Sequence, residues 1–380
     1  IKGIGFVSNP YPLNPKSSNK ERKRMKAYLY LEDGTVFTGE SIGSTRESIS
    51  EVVFNTSMTG YLEVLTDPSY AGQAVTMTYP LIGNYGVTDD AESERSYVGG
   101  YIVRELARVP SNFRCKGNLN DFLVEQDIPG IQGIDTRGLT KKLRDQGTMN
   151  GMISTTKYDD LGPILEKIKA YEVGDVVSQV TCKERKHLPG KGKKVVLLDL
   201  GAKRHIGESL NERGCDVTIV PASTTADEII AMNPDGIMLS NGPGDPKTCT
   251  SIIGEIKKLY DTDIPIFAIC LGHQLMALAN GIDTKKLKYG HRGGNHPVKD
   301  SITGRVYISS QNHGYVVDTD GLDPKIATPS FTNVNDGTNE GLMYTGKNIY
   351  TVQFHPEACP GPQDSAFLFD RFIKMMEGGL

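Results

Sequence analysis

The chain has 380 residues, which corresponds to two domains at roughly 100 to 200 residues each. An apolar content of 38% and a charged content of 23% indicate a folded globular protein and exclude disorder over long stretches. The formal net charge of −4 gives no reason to expect a nucleic-acid or membrane partner, and no apolar stretch approaches the ~18 residues of a membrane span.

The N-terminal part of the chain is predicted to be a flexible leader followed by an α+β domain. Residues 1–24 contain three prolines and a charged run without periodicity, which favours a leader. Residues 26–31 (KAYLYL), followed by Asp33 and Gly34, predict a first strand and a hairpin turn. Across 25–176, short apolar runs typical of strands outnumber the helical patterns, which predicts an α+β domain.

A polar, basic segment over 177–193 is predicted to be a linker. Its PGKG sequence at 189–192 resembles part of a phosphate-binding loop. It lacks the required glycine spacing and a Lys-Ser or Lys-Thr end that opens a helix, so we do not expect a nucleotide there.

The rest of the chain, residues 194–380, alternates between strand and helix patterns. An apolar run at 195–200 precedes a helical pattern at 205–213, and a second apolar run at 216–220 precedes a helix capped by Thr225. This rhythm predicts a doubly wound parallel sheet, in which ligands bind at the carboxyl ends of the strands. The fold class is therefore α/β, with an α+β domain in front.

Three predicted strands of this second domain end in unusual loops, which should meet at one edge of the sheet. The loops have the sequences NGPGD (241–245), ICLGHQ (269–274) and QFHPE (353–357). In the middle loop, Cys270 follows a buried strand and precedes a run of helix formers. A thiol in that position can point at a ligand, and a helix N-terminus favours the thiolate.

These loops contain the parts of a cysteine nucleophile system. Cys270 needs a base and a group that orients the base, and His355 and Glu357 are the natural candidates. The amide of Leu271 and those of the loop from Gly242 to Gly244 can stabilise an oxyanion. Each part also has a structural interpretation: Cys270 as a small buried apolar residue, His355 as a structural histidine, and the glycine loop as a plain turn.

Two other uses of cysteine and histidine are not predicted. The six cysteines are scattered without a CxxC pair, which favours reduced thiols and a cytoplasmic protein. His291, His296 and His313 are joined by no carboxylate or cysteine at ligand spacing, so no metal site is expected.

The motifs SNGPGDP (240–246), ICLGHQ and FHPE (354–357) resemble those of the class I glutamine amidotransferases. Further motifs resemble the small-subunit family of carbamoyl-phosphate synthetases, over nearly the whole chain from Met25. They are VFNTSMTGY (53–61), LTDPSY (65–70), IDTR (134–137), GHRGGNHP (290–297) and QNHG (311–314). The resemblance implies a first domain of the β/β/α swivelling type that meets a large synthetase subunit.

The resemblance also implies residue roles. It makes Cys270 the nucleophile of a triad with His355 and Glu357. The positions matching glutamine contacts are Ser69, Gly242, Gly244, Leu271, Gln274, Asn312, Gly314 and Tyr315. A carboxamide substrate with an amino-acid head needs amide and hydroxyl partners, which several of these residues provide.

The function implied is hydrolysis of L-glutamine to glutamate and ammonia through a thioester on Cys270. The ammonia would pass to a large subunit that makes carbamoyl phosphate from bicarbonate, for arginine or pyrimidine synthesis. ATP and Mg²⁺ are expected on that subunit, and no cofactor is expected in this chain. The alternatives are a catalytically silent interaction protein, an amidotransferase of the anthranilate or guanylate type, and a stand-alone cysteine hydrolase.

Overall fold

The structure is a computed structural model that describes residues 25–379, so the leader predicted over 1–24 lies outside the described residues. Within the described range, no helix combines the length and the apolar character that crossing a bilayer requires. The described chain forms a barrel followed by a large open sheet, and helices pack on both.

The N-terminal part of the described chain is a β-barrel with short helices around it. Its elements are β1 (Lys26–Leu31), β2 (Val36–Gly43), β3 (Ser48–Asn55), α1 (Tyr61–Thr66), β4 (Gln73–Met77), β5 (Leu81–Ile82), β6 (Gly100–Val103), β7 (Glu105–Leu106), α2 (Leu119–Glu125), β8 (Pro129–Gln132), α3 (Thr136–Gln146), β9 (Met149–Ser154) and α4 (Gly162–Lys169). The strands close in the order β1-β2-β8-β6-β4-β3-β9.

The hairpin predicted at the start of this barrel is confirmed. Strands β1 and β2 pair antiparallel, with Lys26 opposite Glu40. Gly34 lies in the turn with a φ of +86°, a left-handed conformation that glycine adopts without steric cost. Closure of the sheet into a barrel was not predicted, because it depends on the parallel pairings of β4 with β3 and β6, which local sequence patterns do not encode.

The C-terminal part of the chain is built around one long sheet. Its elements are α5 (Val177–Val180), β10 (Lys186–Leu188), β11 (Lys194–Asp199), α6 (Arg204–Glu212), β12 (Asp216–Pro221), α7 (Ala226–Ala231), β13 (Gly236–Leu239), α8 (Thr250–Tyr260), β14 (Ile266–Ile269), α9 (Leu271–Ala279), β15 (Thr284–Asp300), β16 (Val306–Val317), β17 (Ala327–Asn333), β18 (Asn339–Tyr344), β19 (Ile349–Val352) and α10 (Phe367–Met376). The strand order is β10-β12-β11-β13-β14-β19-β18-β17-β15-β16.

The predicted doubly wound parallel sheet is confirmed at the centre of this order. Strands β12, β11, β13, β14 and β19 run parallel to one another. Alternate residues of these strands enter two separate cores: Leu198 packs with α7, α8 and α9, whereas Leu197 packs with α6 and α10. Both faces are therefore covered by helices, as an all-parallel sheet requires.

Residues 177–193, predicted as a linker, contain regular structure. Helix α5 packs on the sheet, and β10 pairs antiparallel with β12 at the sheet edge. Lys186 and His187 of β10 are exposed, which is the composition that protects an edge strand from further pairing. An exposed edge strand is as polar as a linker, so the composition of this segment alone did not distinguish the two.

Candidate active site

Cys270 lies on a tight turn between β14 and α9. Its φ of 52° is in the left-handed region, which non-glycine residues rarely adopt and which costs of order 1–3 kcal/mol. The turn is held on both sides, since Cys270 N–H donates to the carbonyl of Val352 (2.8 Å) and Gly272 N–H donates to that of Ser240 (3.0 Å). A Cβ on Gly272 would lie 2.6 Å from the carbonyl oxygen of Leu239, so only glycine permits this packing of α9 on β13.

The three predicted loops meet at this turn, because β13, β14 and β19 are neighbours in the sheet. His355 and Glu357 follow β19 and are buried beside Cys270. His355 Nδ1 lies 2.6 Å from Glu357 Oε1, which fixes the ring. Among the described residues, His355 Nε2 has no hydrogen-bond partner of normal geometry, so this nitrogen is free to exchange a proton with the thiol.

The electrostatics of the pair favour a charged imidazole and a charged carboxylate. Burial alone would lower the pKa of His355, but the charge of Glu357 and the sulfur of Cys270 outweigh it and raise that pKa to about 10. Burial would raise the pKa of Glu357, but Lys203 and His355 outweigh it and lower that pKa to about 2. The ion pair therefore persists across the neutral pH range.

A cavity of 380 Å³ opens next to Cys270, at the junction of the barrel and the sheet. The residues predicted to contact substrate that line it are Ser69, Gly242, Gly244, Gln274, Asn312, Gly314 and Tyr315. Leu271 is absent from the lining, but its amide is the first of α9 and has no acceptor within the helix. Ser69 comes from the barrel, so both parts of the chain form the cavity wall.

Hydrogen bonds hold the polar side chains of this wall in place. Gln274 Nε2 donates to the carbonyl of Tyr315 (2.8 Å) and to Gln353 Oε1 (2.9 Å). Two bonds cross from the sheet to the barrel: Asn241 Nδ2 donates to Ser69 Oγ (2.8 Å), and Asn312 Nδ2 donates to Asp67 Oδ2 (2.9 Å). Pre-ordered polar groups of this kind lower the entropic cost of binding a small polar ligand.

The cavity also contains charged groups that the sequence did not reveal. Glu51 of the barrel pairs with Lys286 of β15 at 2.7 Å. Arg292 is 4% exposed, and its guanidinium donates to the carbonyl of Tyr289 at 2.7 Å. Charges of both signs suit a ligand with both an ammonium and a carboxylate group.

The sequence also did not reveal a buried network of ion pairs next to Glu357. Lys203 Nζ lies 3.1 Å from Glu357 Oε1 and 3.6 Å from Glu92 Oε1. Glu92 belongs to the barrel, and its other carboxylate oxygen lies 2.9 Å from His205 Nδ1. Lys203 follows β11 closely, so its position at the carboxyl edge of the sheet was the signal that could have identified it.

The glycine loop after β13 provides a direct test of the oxyanion site. A Cβ at Gly242 would lie 2.3 Å from the carbonyl oxygen of Leu200 and 2.7 Å from Leu271 Cδ2, so Gly242→Ala must displace the loop. We expect kcat/KM for the glutamine substrate that the sequence predicts to fall about 100-fold or more, as for loss of an oxyanion donor. The matched control is Gly254→Ala in α8, where an added Cβ meets nothing within 4 Å. Unchanged activity in Gly242→Ala would contradict the assignment.

A cysteine elbow paired with a histidine and a glutamate, at the carboxyl edge of this sheet, is the site of a class I glutamine amidotransferase. Residues 196–375 match the family described as glutamine amidotransferase class-I, and residues 29–153 match the CPSase domain of the carbamoyl-phosphate synthase small chain. The chain belongs to the carbamoyl-phosphate synthase small-chain family, and its C-terminal part is a glutamine amidotransferase domain.

Similar curated proteins support this over nearly the whole chain. The carbamoyl phosphate synthase small chain of Clostridium perfringens is 51% identical over 92% of this chain and 99% of its own length. That of Listeria innocua is 52% identical over 92% of this chain and 97% of its own. The pyrimidine-specific small chain of Bacillus subtilis is 50% identical over 93% of this chain and 96% of its own.

Proposed function

We propose that this chain hydrolyses L-glutamine to glutamate and ammonia and delivers the ammonia to the large subunit of a carbamoyl-phosphate synthase. The observation that supports this best is the position of Cys270, beside the buried pair of His355 and Glu357 and at the wall of a polar cavity. The large subunit would use ATP, Mg²⁺ and bicarbonate to make carbamoyl phosphate. No cofactor is assigned to this chain, and we place the reaction in the cytoplasm because the cysteines are free thiols.

In the first step, the sulfur of Cys270, whose proton is already on His355 Nε2, attacks the carboxamide carbon of glutamine. The tetrahedral oxyanion accepts hydrogen bonds from the amide of Leu271 and from the glycine loop containing Gly242. The raised pKa of His355, to which Glu357 and Cys270 contribute, stabilises the imidazolium that forms. Collapse of the intermediate breaks the C–N bond, and the imidazolium proton goes to the departing ammonia.

In the second step, water hydrolyses the γ-glutamyl thioester. His355 removes a proton from the water, the hydroxide attacks the thioester carbonyl, and Cys270 leaves as the thiolate. Glu357 stays ionised throughout, and its bond to His355 Nδ1 keeps Nε2 directed at the reacting atoms. The products are glutamate and the free enzyme.

Ammonia needs an exit that keeps it apart from bulk water, and two further cavities suggest one. A cavity of 20 Å³ is lined by His355, Lys203 and Glu63. Glu63 also lines a cavity of 380 Å³ that begins beside Cys359 and Pro360. We propose that ammonia leaves through these cavities, on the barrel side of His355, and not through the glutamine pocket.

Glu63 gives this route a measurable property. Burial, helped by Asp90 and Glu92 and opposed by Lys203, raises the pKa of Glu63 from its ordinary 4.5 to about 7. Because the pKa of Glu63 is higher in the folded state than in the unfolded state, the contribution of Glu63 to the free energy of unfolding is fully present below about pH 4.5. This contribution is lost as the pH rises from about 4.5 to 7. We expect Glu63→Gln to remove this loss, adding at most about 3 kcal/mol at pH 8 and nothing at pH 4.

Urea unfolding at both pH values measures this effect of Glu63→Gln. Glu166→Gln on the exposed face of α4 is the matched control, and it should leave the difference between the two pH values unchanged. Equal stability of Glu63→Gln and the parent at pH 8 would contradict the prediction.

The proposed function is tested with amide-¹⁵N glutamine and the purified chain, alone and with a carbamoyl-phosphate synthase large subunit, ATP and bicarbonate. We expect slow glutamate release alone and faster release with the partner. We also expect ¹⁵N in carbamoyl phosphate even when unlabelled ammonium chloride is present in the medium. Complete dilution of the label would refute delivery through a protected route. No glutamate release in either condition would favour the alternative, a catalytically silent interaction protein.

A further inference from the structure

Arg292 of β15 is a buried cation in the wall of the glutamine pocket that the proposed reaction steps do not use. It is 4% exposed and lines the same cavity as Cys270. It lies directly opposite Asn312 in the antiparallel pairing of β15 with β16, and the carbonyl oxygen of Asn312 lies 3.7 Å from Cys270 Sγ. The strand pairing therefore places Arg292 close to the nucleophile.

The hydrogen-bonding capacity of this guanidinium is largely unused. An arginine side chain has five N–H donors in a planar fork. Arg292 Nη1 donates to the carbonyl of Tyr289 at 2.7 Å, whereas Nε is buried and has no partner among the described residues. Buried donors without partners are costly, so the free side of the guanidinium needs an explanation.

The charge of Arg292 is also unbalanced, because no carboxylate within residues 25–379 forms an ion pair with it. Glu51 is the carboxylate whose charge acts on it most strongly. The oxygens of Glu51 are already bound by Lys286 (2.7 Å), Gln73 (2.8 Å) and Thr148 (2.9 Å). Burial therefore lowers the pKa of Arg292, and Glu51 offsets this effect only in part. An arginine stays protonated in proteins, so the cavity wall contains a buried positive charge without a partner.

Two glycines make room for the guanidinium beside the pocket: Gly290 of β15 and Gly314 of β16. A Cβ at Gly290 would lie 2.5 Å from Arg292 Nη1, and a Cβ at Gly314 would lie 3.3 Å from Nη2. Gly314 lines the cavity, so Nη2 lies at the part of the wall that is predicted to contact glutamine. The backbone is thus shaped to hold a guanidinium at the edge of the pocket.

We propose that Arg292 binds the α-carboxylate of glutamine and makes a free carboxylate a requirement for substrates, an inference that rests on the proposed function. The α-carboxylate is the only anionic group of glutamine, and a fork of two N–H donors matches its two oxygens. The edge formed by Nε and Nη2 is the one that the bond to Tyr289 leaves free. A glutamine inside a peptide has no free carboxylate there, so it would leave the guanidinium unpaired and bind weakly.

The test compares the binding of two ligands by calorimetry: L-glutamine and L-glutamine α-amide, in which an uncharged carboxamide replaces the α-carboxylate. The full chain carries Cys270→Ser to prevent turnover, and the titrations are made at about pH 6.5, where the α-amino groups of both ligands are protonated. We expect this chain to bind glutamine at least about 30-fold more tightly than the amide. Adding Arg292→Met should reduce this preference to about 3-fold or less, through weaker binding of glutamine.

Two further variants in the Cys270→Ser chain separate Arg292 from other cations. Lys286→Met removes the second cation of the cavity wall, and Lys288→Met is the matched control, since Lys288 is exposed on the same strand and absent from the cavity lining. Both should keep the preference for glutamine within about 3-fold of its original value. A preference that persists in Arg292→Met, or that disappears in Lys286→Met instead, would overturn the proposal.

The stability of the Arg292 variants tests whether the guanidinium is unpaired without ligand. Arg292→Met removes a buried charge that has no partner, so urea unfolding should show a chain at least as stable as Cys270→Ser alone. A marked loss of stability would mean that Arg292 is paired within the fold and would contradict the proposal. Arg292→Lys keeps the charge without the fork, and it should also bind glutamine more weakly.

Glutamate release by the chain with an intact Cys270 separates this inference from the proposed function. If that chain releases glutamate while the preference persists in Arg292→Met, only the role of Arg292 is wrong. If it releases no glutamate and Cys270→Ser binds no glutamine, the proposed function fails and the role of Arg292 fails with it.

Discussion

Replacing Cys270 by serine is expected to abolish glutamine-dependent synthesis while ammonia-dependent synthesis by the complex continues. The serine hydroxyl is a much weaker nucleophile, and the neighbouring His355 and Glu357 are arranged for a thiol. We expect kcat for glutamate release to fall at least about 10⁴-fold, the scale found when one member of a cooperating triad is removed. Glutamine should still bind, because the polar groups of the cavity wall are untouched.

Three measurements on Cys270→Ser check this expectation: glutamate release, carbamoyl phosphate formed from ammonium chloride, and glutamine binding by calorimetry. Cys249→Ser is the matched control, since Cys249 is also buried but lies at the start of α8 and is absent from the lining of the pocket. Glutamine turnover that survives in Cys270→Ser would remove Cys270 from the proposed mechanism. Loss of ammonia-dependent synthesis would mean that the variant damages assembly with the partner.

The sequence was sufficient for the parts of the site that local patterns encode. The turn at Cys270 was predictable because a buried strand, a small-residue turn and a helix follow one another within a few residues. His355 and Glu357 were predictable because they follow β19 directly, and β19 lies beside β14 in a parallel sheet. Predicting these residues requires only their neighbours in the sequence and the general rule that ligands bind at the carboxyl ends of the strands of a parallel sheet.

The remaining features depend on contacts between distant segments. Glu92 reaches the sheet only because the barrel packs against α6, where the amide of Arg204 donates to the carbonyl of Glu92. Glu340 of β18 lies 3.7 Å from His291 of β15, although β17 stands between these two strands in the strand order. Contacts at this sequence separation leave no periodic signal, so neither carboxylate was predicted to make its contact.

Replacing Lys203 is expected to destabilise the folded protein strongly. Its side chain is 3% exposed and lies between two carboxylates, Glu357 and Glu92, that have no solvent exposure. Lys203→Met keeps the length of the side chain but leaves two buried negative charges, His355 and His205 being the remaining cationic partners. Breaking a buried ion pair by removing one partner costs about 3–5 kcal/mol, which urea unfolding at pH 7 measures directly.

Lys203→Met should also change catalysis in a way that a simple loss of stability does not. Without the lysine charge, the pKa of Glu357 rises, so the carboxylate that orients His355 is protonated at a higher pH. The acidic limb of the pH profile of kcat for glutamate release should therefore move to higher pH. The exposed pair of Lys247 and Asp283 offers the control, because Lys247→Met should cost less than about 1 kcal/mol and leave the profile unchanged.

A double-mutant cycle separates the contribution of Glu92 from that of Glu357. Combining Lys203→Met with Glu92→Gln removes one of the two carboxylate charges that have lost the lysine, so the double variant should be more stable than the sum of the two single changes implies. Additive losses would show that Lys203 does not compensate Glu92, and an unchanged pH profile in Lys203→Met would show that it does not act on Glu357. Either result would contradict a network in which a barrel residue helps to hold the triad in its charged state.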